Sequence, residues 1–114
     1  RDYPKSRSFA DKCAELRSGD GNPYIMIGDL YASSAGDCGN DEISSKAAYW
    51  AAVDKYLKAK SVDPSVEKTA NERIYSYSRA FPAMERLFFH DLKEGDTYSV
   101  GCWINETTTV RAAR

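Results

Sequence analysis

A chain of 114 residues is enough for one domain with a real but modest core, and 42% hydrophobic with 29% charged residues is an ordinary globular balance. A formal net charge of −1 gives no general attraction to nucleic acid or an anionic membrane, and no apolar run approaches the roughly 20 residues that cross a bilayer. Three cysteines without a Cys-x2-Cys pair, and a single histidine, argue against a zinc site, so no metal and no other cofactor is expected.

The chain opens on Arg1 with neither a methionine nor a signal peptide, as a processed or truncated product would, so targeting residues do not reveal its compartment. From about Lys5 to Arg17 the spacing predicts a short helix, with Phe9, Cys13 and Leu16 on one apolar edge at i, i+4, i+7. Ser18-Gly19-Asp20-Gly21 ends it. Such a helix needs a neighbour, supplied from upstream or by another chain.

The next helix, Asn22 to Ala35, organises the rest. Asn22 reads as its N-cap and Pro23 as its first residue. Tyr24, Ile27, Gly28 and Tyr31 recur at helical spacing. A glycine inside a helix costs roughly 1 kcal/mol against alanine, so Gly28 predicts a neighbouring element packed too close for a β-carbon. Gly36 to Ser45 is turn-rich and acidic. Asp37, Asn40, Asp41 and Glu42 miss the spacing of a calcium loop, and the segment reads as a solvated loop that caps the following helix.

Lys46 to Lys60 is the strongest helical pattern. Ala48, Ala52, Tyr56 and Ala59 form one stripe, and Tyr49, Val53 and Leu57 a second, as in a helix buried on both flanks. Trp50 belongs to neither, sharing a face with Asp54 and Lys58. Asp63-Pro64 restarts the chain as cap and first helical residue, followed by a stripe of Val66, Ala70, Ile74, Tyr77 and Phe81. Pro82 breaks that helix. Ala83 to Lys93 predicts a shorter one, with Met84, Leu87, Phe88 and Leu92 apolar. Thr97 to Ile104 and Thr107 to Arg111 are β-rich, with Asn105-Glu106 as a candidate tight turn. An isolated hairpin is marginal in water, so it must lie on the helices or pair with another chain's strand edge.

Residues 22–64 resemble one tetratricopeptide repeat, carried by Tyr24, Ile27, Gly28 and Tyr31 on the first helix and Ala52, Tyr56, Ala59 and Pro64 on the second. Phenylalanine is usual where Tyr56 stands, and the loop makes the unit longer than ~34 residues by roughly a dozen. The first helix would then be the second helix of a preceding repeat. The C-terminal segment, through Gly95-Asp96, Tyr98, Val100-Gly101, Trp103-Ile104 and Glu106-Thr107-Thr108, resembles the end of uncharacterised tetratricopeptide proteins exported to the Gram-negative bacterial envelope.

The resemblance implies a mostly α fold, an antiparallel helix-pair stack over residues 1–93 with a C-terminal β-hairpin in residues 94–114. It also implies an exported interaction protein, periplasmic or outer-membrane associated. Such stacks hold extended peptides on the first helix of each repeat, a face that here includes Asn22, Ile25, Asp29 and Ala32. Ile25 and Asp29 replace the lysines and asparagines of a carboxylate clamp. Trp50 and Trp103 are the aromatic candidates for a partner surface; burial under the loop or the hairpin is the alternative for each. In an exported chain a Cys13–Cys38 bridge would pin the inserted loop to the stack; in a reducing compartment both would be free thiols.

Candidate chemistry is sparse. Asp91 cannot orient the ring of its neighbour His90 as a triad would, because adjacent helical residues diverge by about 100°. Cys102, between Gly101 and Trp103, has no flanking nucleophile pattern. The leading expectation is a non-catalytic binding or scaffold module within a larger envelope assembly. A small hydrolase or thiol-redox protein using Cys102 or His90, or the cap of a longer enzyme, is the alternative.

Overall fold

The computed structural model describes residues 2–113. Its elements run α1 (Tyr3–Leu16), α2 (Asn22–Ser33), α3 (Ser44–Val62), α4 (Glu67–Ser78), α5 (Met84–Phe89), β1 (Thr97–Val100) and β2 (Glu106–Thr109), with 3-10 turns at Ala35–Asp37 and Pro64–Val66. The mostly α architecture with a C-terminal antiparallel hairpin is as expected.

α1 packs on α2, α2 on α3 and α3 on α4, so the four long helices form a row. The extents of 43 × 28 × 20 Å agree with this. At 1.5 Å per residue the longest helix spans only about 28 Å, so the 43 Å axis is the direction of stacking. α3 is the centre, buried at Ala48, Ala52, Tyr56 and Ala59 and again at Ala47, Trp50, Ala51 and Val53. Small residues let its backbone approach α2 and α4, while Leu57, expected on the second stripe, faces outward at its exposed end.

Three local expectations need correction. Asn22 is not the cap of α2: Gly21 holds that position, and its N–H donates to the Asp63 carboxylate at 2.9 Å. A β-carbon on Gly21 would meet the Ala59 carbonyl and the Val66 side chain at 2.7 Å, so glycine is what lets the start of α2 abut the end of α3. α5 is shorter than expected, and of its apolar residues only Leu87 is buried; Met84 and Phe88 are exposed. The strands are likewise shorter, and Gly101 to Asn105 forms the connection in place of a tight turn at Asn105-Glu106. Cys102 and Asn105 both take positive φ there, which turns the chain without an Asn-Gly pair.

Two caps hold as read. The Asp41 carboxylate accepts the N–H groups of Ile43 and Ser44 at 2.9 and 2.7 Å, starting α3, and Asp63 accepts the N–H of Ser65 at 3.0 Å. The Ser44 and Ile43 amides hold the Asp41 carboxyl below the usual carboxylate range, and the Gly21 amide, then the Ser65 hydroxyl, do the same for Asp63.

Candidate functional site

The face expected to line a peptide groove is occupied by the protein itself. Asp29 sits on α2 where Tyr56 of α3 and Arg73 of α4 converge. The Tyr56 hydroxyl donates to Asp29 Oδ1 at 2.6 Å, and Arg73 grips both carboxylate oxygens through Nε at 3.0 Å and Nη2 at 3.2 Å. Burial, then the neighbouring carboxylate, pushes the Tyr56 hydroxyl above its usual range. Arg73 is raised by the same carboxylate. Ile25 and Ala32 are buried, so of the four groove residues only Asn22 is freely exposed. The groove reading of Ile25, Asp29 and Ala32 is therefore corrected: Ile25 and Ala32 are buried, and Asp29 ties α2 to α3 and α4.

Trp50 is also corrected. Its side chain is fully buried, because the face it shares with Asp54 is covered by the hairpin. Trp50 Nε1 donates to the Arg111 carbonyl at 2.8 Å, and Arg111 returns a bond to the Trp50 carbonyl at 3.0 Å. Asp54 pairs with Arg111 at 2.7 Å and accepts the Thr108 hydroxyl at 2.5 Å, while Lys55 pairs with Glu106 at 3.3 Å. The off-stripe Trp50 and Asp54 were the sequence signal for this docking. The Arg111 partner, far along the chain, carried no signal of its own.

Trp103 is half-buried where α1 and α2 meet the connection between the strands. Its ring stacks on Tyr3 with centroids 5.3 Å apart and meets Tyr31 edge-on at 5.2 Å. Its Nε1 donates to Ser34 Oγ at 2.9 Å. Arg7 ties the cluster, donating to the Tyr31 hydroxyl at 2.9 Å and to the carbonyls of Ile104 and Trp103 at 2.8 and 3.1 Å. Arg7 also lies over the Trp103 ring at 4.9 Å. Burial pushes the Tyr31 hydroxyl above its usual range, with Arg7 opposing. Sequence reasoning missed Arg7. Its position one turn after Tyr3, on the side of α1 away from Phe9, was the available hint.

The expected Cys13–Cys38 bridge is overturned. Cys38 is bonded to Cys102, with Cα atoms 5.3 Å apart, and Cys13 is free. The connection between the strands folds back onto the α2–α3 loop, whereas Cys13 lies near the far end of α1. The bond also removes the Cys102 thiol that a nucleophilic reading requires.

Among the open surfaces, two carry side chains of note. On α1, Phe9 and Leu16 are 62% and 79% exposed, and a shallow groove of about 300 Å3 runs between Phe9 and Met26 of α2. Near α5, Glu42 accepts from Arg86 Nε at 3.0 Å and lies 2.8 Å from His90 Nε2. These partners lower the Glu42 carboxyl to about 2. Among the described residues no group of His, Cys, Asp and Glu is arranged to hold a metal ion, and no helix is long and apolar enough to cross a membrane. Compared with protein-family models, curated proteins and solved structures, the chain matches none.

Proposed function

We propose that the chain is a non-catalytic interaction module, a short stack of tetratricopeptide-like helices that docks a protein partner through the outer face of α1. The observation that carries this reading is the exposure of Phe9 and Leu16, at i and i+7 on one helix, beside Met26. Large apolar side chains at helical spacing suit a further helix laid along α1, as α2 already lies on its other side. A row of helices leaves its end faces open, and each unit is stabilised by its neighbour. The tetratricopeptide resemblance supports the same occupant.

The Cys38–Cys102 bond supports a periplasmic or outer-membrane-associated location, since disulfides persist in oxidising compartments. Within that setting the chain acts as a subunit of a larger envelope assembly. Photo-crosslinking residues placed at Phe9, Leu16 and, as a control on the opposite side of α1, the exposed Asp11 test the reading in intact cells. A discrete protein adduct from positions 9 and 16 but not 11 is the expected result. A folded protein giving no adduct at either apolar position would count against it.

A further inference from the structure

The hairpin has an edge that nothing covers among the described residues. Val110 donates to the Asp96 carbonyl at 2.9 Å and accepts from Gly95 at 3.0 Å, so its peptide groups point toward the opposing strand. With Tyr98 paired to Thr108 and Val100 to Glu106, alternation sets the peptide groups of Tyr98 and Val100 inward. Those of Thr97 and Ser99 therefore point away from β2. Both residues are exposed, and their backbone groups make no hydrogen bond among the described residues. The other edge differs: Arg111 reaches the Thr109 carbonyl at 3.4 Å. β1 itself carries no lysine or proline; Gly95, at φ +95°, and Asp96 form a bulge opposite Val110 just before it and leave the edge at Thr97 and Ser99 open.

What lies beside β1 defines an occupant. Tyr98 and Val100 turn toward the helices, and Tyr98 lines a cavity of about 230 Å3 with Ile43, Leu92, His90 and Asp41. A strand added to β1 would send alternate side chains into this same layer. Ile43, Leu92 and Tyr98 suit an aliphatic stem, and Asp41 supplies a negative charge. Glu42 nearby is already matched by Arg86 and His90. Beyond the cavity Asp91 and Asp96 line a second hollow with Lys93, leaving acids in excess. A second copy of the chain would bring the same acids against these, so charge disfavours it.

We propose that the outer edge of β1 binds an extended segment of a partner protein, added as a third strand, with a lysine or arginine entering the cavity between Tyr98 and Asp41. Main-chain bonds to Thr97 and Ser99 hold the segment, and the cavity selects its side chain. The proposal rests on the reading of the chain as an interaction module, but on a different surface from α1.

The test uses the full chain and a blocked peptide of about seven residues, alternating threonine and valine around one central lysine, with a glutamate version as its pair. Amide chemical shifts should move at Thr97 and Ser99, and the lysine peptide should bind about tenfold tighter than the glutamate one. Ser99→Pro removes one outward N–H that the hairpin itself does not use, so the fold is kept while binding falls by about tenfold or more. Asp41→Asn keeps a capping side chain but should narrow the lysine preference to about threefold or less. Binding that survives Ser99→Pro, shifts elsewhere on the protein, or no binding by either peptide overturns the proposal. Self-association abolished by Ser99→Pro also overturns it, in favour of a second copy. If the peptide fails while positions 9 and 16 still crosslink, the edge proposal falls and the α1 reading stands.

Discussion

Tyr56 donates its hydroxyl to Asp29 across 2.6 Å, and its ring occupies the space that a β-carbon on residue 28 would need. An alanine Cβ there would meet Tyr56 Cε1 at 2.5 Å. Gly28→Ala gains roughly 1 kcal/mol of helix propensity, but overpacking against a buried ring costs about 1–3 kcal/mol. The expected outcome is a net loss of stability, read as a lower urea midpoint. Tyr56→Phe removes the hydroxyl while leaving Asp29 with Arg73, and should cost about 1.5 kcal/mol. Gly28→Ala combined with Tyr56→Leu should lose less than the sum of the single changes, because the new methyl fills space the ring has left. Strict additivity would show that the ring is not the obstacle.

The bond between Cys38 and Cys102 closes a separation of 64 residues, joining the α2–α3 loop to the connection between the strands. On chain entropy alone, closing a loop of that size stabilises by about 4 kcal/mol. Reductant should therefore lower the unfolding midpoint, and Cys102→Ser should reproduce the loss and make it insensitive to reductant. Alkylation of the unfolded chain should label Cys13 alone before reduction and all three cysteines after it. Labelling at Cys38 before reduction of freshly isolated protein would contradict the bridge.

Much of the helix row was legible in the sequence because it depends on local periodicity. The stripe of Ala48, Ala52, Tyr56 and Ala59 on α3 and the close approach at Gly28 follow from spacing within a single element. By contrast, α4 already ends at Ser78, short of Pro82, and Leu57 of the second stripe is exposed. What failed depends on pairing across the chain. Cys38 finds Cys102 because the connection between the strands returns to the α2–α3 loop, a distance that helix geometry alone does not set. Asp29 lies on a helix face whose partners, Tyr56 and Arg73, come from two later helices. Trp50 was ambiguous on α3 alone, and the hairpin that buries it is joined through Arg111, 61 residues away. Phe9 and Leu16 show the reverse case, an apolar edge visible in the spacing that stays exposed among the described residues.

The reciprocal bonds between Trp50 and Arg111 make the hairpin part of the same core as α3. Trp50→Ala deletes a fully buried indole and should cost about 3–5 kcal/mol, far more than Asn22→Ala on the exposed start of α2. The loss should extend to the hairpin, with faster amide exchange at Val100 and Val110 than in the parent protein. Urea melts of the two variants and hydrogen exchange on Trp50→Ala and on the milder Trp50→Phe variant check this. If Trp50→Ala retained parental stability while weakening a partner complex, Trp50 would be an interface residue after all.

Glu42 offers a pH-dependent link between the α2–α3 loop and α5. Arg86, followed by His90, lowers its carboxyl from an ordinary 4.5 to about 2. A carboxylate with a depressed folded value stabilises the fold above the unfolded value, and that contribution is lost as pH falls through the folded one. The contribution is thus complete above about pH 5 and fades from there toward pH 2. Glu42→Gln cannot titrate and keeps the side-chain shape. The difference in urea midpoint between parent and variant should stay constant from neutral pH to about 5 and shrink steadily below it. Asp41 and Asp63, also held below their usual range, titrate in both proteins and cancel in the difference. Added salt should diminish the gap at neutral pH, since all three side chains of the cluster are partly exposed. A gap that ignored both pH and salt would mean that Glu42 acts through packing and not through its charge.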